Sequence, residues 1–297
     1  MSISVVVPVF NGAKTIKETV DSISNQTFKD IEIIIINDGS TDTTVEVIKT
    51  ISDSRIKVFS YSNAGLSASR NRGISQAKGE YISFIDADDL WTPDKLESQW
   101  QALQKNPQAA VAYSWTDYID ESSKFIKPGR RIKVNGDAFS KLLVTNFLEN
   151  GSNPLIKKTA FEKVGGFDES LSAAEDKDMW LRLAVNYEFV CVEKPQILYR
   201  TSTTSMSTKL KRQEAESLKV IERAFNNPKA EKLQHLKKQS LSHLYQYLTF
   251  KAIEAPRKQR QTPNAIYFWW NWIKNNPTVV KNRRLIIVAV LKIFFTW

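Results

Sequence analysis

Apolar residues in this chain fall into short β-branched runs that alternate with segments of helical spacing. Ile3–Val9, Ile31–Ile36, Ile56–Tyr61 and Tyr81–Ile85 are largely apolar runs too short for helices. Between them Ala13–Gln26 repeats Ile16, Val20 and Ile23 at helical intervals, and Thr43–Ile51 and Leu66–Ala77 also read as helices. Strands apolar on both faces, alternating with helices, predict a buried parallel sheet in an α/β domain. Pro93–Lys105 predicts a further helix with Thr92 as N-cap, and Ala109–Trp115 a further strand.

Beyond that strand, Ser122–Asn135 turns polar and basic and reads as a loop. Helices are expected over Asp137–Thr145, Thr159–Val164 and Glu175–Asn186, with strands at Leu155–Ile156, Phe189–Val192 and Ile197–Tyr199. The Ser/Thr-rich stretch 201–208 marks a boundary between an α/β domain over 1–207 and an extension over 208–297. The extension is helical in pattern, interrupted by Pro228, Pro256, Pro263 and Pro277.

Open α/β sheets bind ligands beyond the carboxyl ends of their strands. Three polar clusters sit at such ends: Pro8-Val9-Phe10-Asn11, Asn37-Asp38-Gly39-Ser40 and Asp86-Ala87-Asp88-Asp89. The last packs three carboxylates together. Taken alone it fits either a divalent cation site or a solvated acidic turn that caps the next helix. Three clusters on one rim define a site more firmly than any one of them.

Composition divides the chain further. The net charge of +10 belongs to the C-terminal third: residues 208–297 hold 18 Lys or Arg against five Glu, whereas residues 1–207 hold 24 against 27 acidic side chains. The single cysteine, Cys191, excludes an internal disulfide framework and lies among apolar neighbours. No basic leader with an apolar core opens the sequence, and no apolar run reaches the ~18–20 residues that span a bilayer, so a cytoplasmic protein is expected, with the inner face of the cell membrane as a possible station. Gly-x-Gly-x-x-Gly, a P-loop and Gly-x-Ser-x-Gly are all missing, and His235 and His243 lie in the helical extension.

Five segments in order then carry a specific likeness: Val5–Asn11, Ile36–Asp42, Gly65–Gly73, Gly79–Asp89, and Gly165-Gly166-Phe167-Asp168-Glu169 followed by Glu175-Asp176 and Trp180. Over roughly residues 3–205 the sequence resembles the inverting family 2 glycosyltransferases of GT-A fold. The resemblance implies that Asp38 accepts hydrogen bonds from a nucleotide base, most often uracil, in a pocket shaped by Pro8, Phe10 and Asn11. It implies Arg70 beside the base or diphosphate, Asp86 on the ribose, and Asp88 on a Mn²⁺ or Mg²⁺ ion that bridges the diphosphate. Asp176 takes the position of the general base, while Asp89 and Asp42 fit supporting or helix-capping roles. Trp180 suits either a sugar pocket or the core. One departure stands out: relatives often place a histidine shortly after the Tyr-Arg pair, and here Tyr199-Arg200 leads into Thr201–Ser205.

The expected activity is therefore metal-dependent transfer of a sugar, UDP-linked by the resemblance, to a hydroxyl of a glycan or lipid-linked acceptor in cell-surface polysaccharide or glycoconjugate synthesis. A non-catalytic sugar-nucleotide or glycan-binding subunit is the alternative, followed by a sugar-phosphate nucleotidyltransferase. In the extension, Tyr267–Trp272 and Leu285–Trp297 combine aromatic and basic residues. That mix suits either a membrane-surface helix or a core stripe of Ile266, Trp269, Trp270 and Ile273, and no motif points to nucleic acid.

Overall fold

The computed structural model describes residues 2–201, 209–254 and 262–276. It divides into two compact units, residues 1–138 with 147–202, and residues 139–146 with 203–297. The second unit is thus discontinuous in sequence.

In the first unit, strands β1 (Ile3–Val9), β2 (Ile31–Asn37), β3 (Ile56–Ser60) and β4 (Tyr81–Phe84) pair in parallel in the order β3-β2-β1-β4. Every residue of β1 and β4 is buried: their sequences are apolar except Ser4, which donates to Glu32, and Ser83, which donates to the Pro154 carbonyl. β3 lies at the edge and leaves most of its side chains partly exposed. Helices α1 (Ile16–Ser24), α2 (Thr44–Lys49) and α3 (Leu66–Gln76) make the connections. α3 packs directly on β1, because a Cβ on Gly73 would lie only 2.1 Å from a methyl of Val6.

The rest of the sheet differs from the parallel expectation. β8 (Leu155–Lys157) runs antiparallel to both β4 and β6 (Ala109–Ile119), β9 (Glu188–Arg200) is parallel to β6, and the two-residue β5 (Leu90–Trp91) is antiparallel to β9. The sheet is therefore mixed. β9 absorbs both expected strands into one, with register shifts against β6 that accommodate Pro195. The expected loop 122–135 contains strand β7 (Phe125–Pro128), a fully exposed edge strand antiparallel to β6. Helix α4 (Lys95–Lys105) starts two residues later than expected, and Asp94 rather than Thr92 is its N-cap residue. Helices α6 (Lys158–Val164) and α7 (Glu175–Asn186) complete the unit. Cys191, among its apolar neighbours, is half-buried, and burial pushes its thiol up.

The second unit is helical: α5 (Phe139–Val144), α8 (Leu210–Phe225), a 3₁₀ segment (Pro228–Leu236), α9 (Lys237–Glu254) and α10 (Thr262–Asn275). Its core joins Leu210, Tyr245, Leu248, Ala252 and Ile253 to Ala265, Phe268 and Trp272. Trp269 packs against this core, whereas Ile266, Tyr267 and Trp270 are exposed. The core stripe of α10 is thus offset from the expected one. Leu285–Trp297, and residues 202–205 where the histidine is missing, lie outside the described residues.

Candidate active site

The parallel strands end together. β1 and β2 pair through Val9 and Asn37, and β4 stops beside Val6, so the loops after all three strands share one rim. Asn11, in left-handed backbone with φ 53°, staples the first loop to the second. Its side-chain oxygen accepts from the Thr41 amide at 2.8 Å, and its own amide donates to Ser40 Oγ at 3.0 Å. Pro8 is buried in the ladder, while Phe10 is 52% exposed, an apolar ring offered at the rim. Asp42 accepts from the amides of Ala13 and Thr44, fixing the same two loops.

Asp38 is buried and receives three hydrogen bonds. The Ala64 and Gly65 amides donate at 3.0 and 2.8 Å, and Arg72 Nη1 donates at 2.9 Å. Arg72 also lies 4.5 Å above the Tyr61 ring. A carboxylate offers about four lone-pair sites, so these contacts hold Asp38 in place and leave it capacity for one more donor.

Arg70, expected beside the base or diphosphate, is buried among carboxylates. It is 1% exposed, and donates to Asp86 Oδ1 at 2.8 Å and to Glu175 Oε1 at 3.0 Å. Burial opposes its charge, but Asp86, Glu175 and Asp176 outweigh that penalty and hold the guanidinium ionised. A Cβ on Gly151 would sit 2.2 Å from Arg70 Nη2, so only glycine lets the 149–153 loop close over this arginine. The planar cation is a buried tie between the end of β4 and α7.

The acidic cluster divides into three environments. Asp86 is paired with Arg70 and 26% exposed in its side chain. Asp89 is fully buried, accepting from Ser152 Oγ at 2.5 Å and the Arg200 amide at 2.9 Å. Burial, reinforced by Asp88 and Asp86, pushes its carboxyl well up. Asp88 is half-buried, and its carboxylate, apart from its own backbone amide, accepts no hydrogen bond from another residue among those described. Burial, with the Asp86 charge added, raises it to about 6.

A carboxylate held in that condition fits a divalent cation, which relieves the desolvation and repulsion at once. Mg²⁺ and Mn²⁺ characteristically combine one or two carboxylates with substrate phosphates, and no cluster of three or more His, Cys, Asp or Glu suited to a metal occurs among the described residues. The donor set thus fits an ion that arrives with a diphosphate.

Sequence reasoning missed four supporting residues. Ser152 accepts from the Asp86 amide while donating to Asp89. Arg200 Nε donates to the Asp88 carbonyl at 2.7 Å, and its Nη2 pairs with Glu18 at 2.8 Å. Arg72 holds Asp38. Asn71 clamps the 165–169 loop through the Phe167 amide and carbonyl and the Glu169 carboxylate. Arg200, Arg72 and Asn71 stood in the quoted motifs, but their partners are distant in sequence; Ser152 carried no signal.

Asp176 is the second residue of α7, whose N-cap Ala174 has a φ of 59° that is rare for a residue with a Cβ. Asp176 accepts from the Lys177 amide at 2.6 Å. Trp180 is fully buried, edge-on to Phe167 at 6.2 Å, and belongs to the core.

Residues 4–252 match the family described as "Glycosyltransferase like family 2". The chain belongs to that family. An uncharacterized glycosyltransferase from Rickettsia typhi is 37% identical over 184 residues, 61% of this chain and 58% of that protein, so the chain spans less than two thirds of that relative's length. Two solved structures share the fold: S. aureus TarS residues 1–349 in complex with UDP-GlcNAc, at TM-score 0.62, 18% identity and coverage of 96% of this chain and 92% of that one, and a mannosyltransferase from Pyrobaculum calidifontis in complex with GDP-Man and Mn²⁺, at TM-score 0.62, 19% identity and coverage of 99% and 87%. The fold is GT-A, with a helical C-terminal unit.

Proposed function

We propose that this family member is an inverting, divalent-cation-dependent glycosyltransferase. It moves a sugar from a nucleotide donor, UDP-linked, to a hydroxyl of a glycan or lipid-linked acceptor in cell-surface polysaccharide or glycoconjugate synthesis. One observation carries the reading: Arg70 ties Asp86, at the nucleotide-facing end of β4, to Glu175, beside Asp176 at the start of α7. That single buried cation fixes a donor half and a catalytic half in one frame.

In the proposed reaction Asp38 receives the base, Phe10 and Asn11 line its pocket, and Asp86 faces the ribose. Asp88, together with the donor diphosphate, would hold Mn²⁺ or Mg²⁺, which supplies charge neutralisation for the leaving nucleoside diphosphate. Asp176 accepts the proton of the acceptor hydroxyl as its oxygen bonds to the anomeric carbon and the bond to the diphosphate breaks. Configuration inverts in this single displacement, without a covalent intermediate.

The test is turnover of a nucleotide-sugar panel with Mn²⁺ or Mg²⁺, with the anomeric configuration of the product read by NMR. A UDP-sugar is expected to turn over, and Asp176→Asn to lower transfer by about 10²–10⁴-fold. Lack of turnover with every donor, or an unimpaired Asp176→Asn enzyme, would overturn the reading.

Association with the inner face of the cell membrane is part of the proposal. No helix among the described residues is long and apolar enough to cross a membrane. α10 instead exposes Ile266, Tyr267 and Trp270, and the second unit is strongly basic in sequence, a combination suited to an anionic lipid surface. Flotation with anionic vesicles should fall for Trp270→Ser; equal flotation would remove the membrane role.

A further inference from the structure

The hairpin that joins β6 to β7 holds two apolar side chains out in solvent. Phe125 is 62% exposed and Ile126 48%, and the flanking Lys124, Lys127 and Pro128 are exposed as well. Among the described residues of the first unit, no other two large apolar side chains adjacent in sequence are both exposed. A single exposed apolar residue is ordinary on a protein surface, whereas a contiguous apolar patch marks an interaction site.

The hairpin is fastened in that position. Its turn closes through the Asp120 amide on the Lys124 carbonyl at 2.9 Å and the Ser123 amide on the Asp120 carbonyl at 3.1 Å. Arg200 Nη1 donates to the carbonyls of Asp120 and Glu121, both at 3.2 Å, and to Ser123 Oγ at 2.9 Å. Ser123 Oγ in turn donates to Glu18 Oε1 at 2.6 Å. The same guanidinium holds the Asp88 carbonyl through Nε, so one side chain links the hairpin turn to the acidic loop of the site.

The surroundings of the apolar pair select its partner. Another strand is a poor match for β7, which is four residues long, irregular in register opposite Tyr118 and Ile119, closed by Pro128 and bordered by lysines, all features that discourage edge pairing. Charge favours a lipid surface instead. Residues 122–136 contain Lys124, Lys127, Arg130, Arg131 and Lys133 and no acidic residue. Arg131 and Lys133 pair with Asp117 and Glu193, while Lys124 and Lys127 bracket Phe125 and Ile126. The acids at the turn are engaged: Asp120 Oδ1 accepts from the amides of Ser122 and Lys124, and Glu18 bonds to Ser123 and Arg200. An apolar pair between two long cationic side chains suits the interface of an anionic bilayer, with the ring and methyls among acyl chains and the ammonium groups at the headgroups. We propose that the β6–β7 hairpin docks the first unit on an anionic membrane surface and holds that surface beside the Asp88 loop. The inference rests on the membrane association proposed above and adds to α10 a separate contact, in the unit that carries the candidate site.

Vesicle binding decides it, without relying on turnover. The full-length protein is floated with vesicles of phosphatidylglycerol and phosphatidylcholine, and with phosphatidylcholine alone, over a range of lipid concentrations. Binding is expected with the anionic vesicles and to weaken as salt is added. Phe125→Ser combined with Ile126→Ser should weaken it about tenfold or more, and so should Lys124→Gln combined with Lys127→Gln. Phe125→Leu with Ile126→Val should keep it, and thermal unfolding of all these variants should match the wild type, since the side chains are exposed. Flotation that falls with Trp270→Ser but not with either hairpin pair would overturn the hairpin contact and leave that of α10. No flotation of the wild type would remove the membrane reading as a whole. A dimer in sedimentation equilibrium that Phe125→Ser with Ile126→Ser dissociates, at unchanged flotation, would make the patch a contact between copies and also overturn the proposal.

Discussion

Arg70 donates to Glu175 at 3.0 Å across 105 residues of sequence. The contact joins α3, which rides on the first strand, to the start of the helix bearing Asp176. With its second bond, to Asp86, the same guanidinium sets the spacing between the two halves of the site.

Removing that guanidinium leaves two carboxylates facing each other in a largely buried space. Arg70→Met should lower unfolding free energy by about 3 kcal/mol, the scale for breaking a buried pair by taking one partner. Arg70→Lys should recover little, because one ammonium replaces a fork that reaches two carboxylates at once. Urea unfolding of the three proteins measures this, and an Arg70→Met protein as stable as the wild type would contradict it.

Asp88 is expected to behave in the opposite sense. With no hydrogen bond from another described side chain, and lifted to about 6 by burial and Asp86, its ionised form opposes folding at neutral pH. Asp88→Asn should therefore stabilise the ligand-free protein by about 1–2 kcal/mol while weakening Mn²⁺-dependent nucleotide binding. Thermal unfolding with and without nucleotide and Mn²⁺ should show the variant higher without ligand and gaining less with it.

Much of this arrangement was legible in the sequence, and the exceptions have physical causes. β1 and α7 begin and end where their patterns predict, because buried apolar runs and amphipathic spacing are local signals. Asp38 and the 86–89 cluster lie on one rim because parallel strands send their carboxyl ends the same way. β5 and β7 were not legible: a two-residue strand and an exposed Phe-Ile-Lys-Pro edge owe their pairing to β9 and β6, not to their own pattern. Arg70 was expected beside the base or diphosphate, and nothing local reveals that Gly151 closes over it. Arg72, two residues along the same helix, is the arginine that reaches Asp38.

Lys95 gives a pH signature. It is fully buried, its ammonium nitrogen 3.8 Å from the centre of the Trp91 ring and 2.6 Å from Ser83 Oγ. Burial holds its amine well below the usual 10.5. Since the unfolded chain binds that proton more tightly than the folded one, protonation opposes folding. Wild-type stability should rise with pH from the folded-state value up to about 10.5. Lys95→Met, similar in volume and uncharged, should be more stable at neutral pH and lack the rise. Chemical denaturation at intervals between pH 7 and 10 tests this, and parallel curves for the two proteins would refute it.

Arg72 offers the sharpest separation of binding from chemistry in the proposed donor site. Its bond to Asp38 and its place over Tyr61 hold a carboxylate that must present its remaining lone pair to the base. Arg72→Gln keeps a donor but loses the charge and the fork, and a hydrogen bond to a charged group contributes about 1.5–3 kcal/mol. With a UDP-sugar, KM should rise about tenfold or more while kcat stays within a few-fold, because the base is bound alike in ground state and transition state. The loss should be smaller for a donor with a different base, since Asp38 is the group being misplaced. A fall in kcat with KM unchanged would instead move Arg72 from the base pocket to the reacting centre.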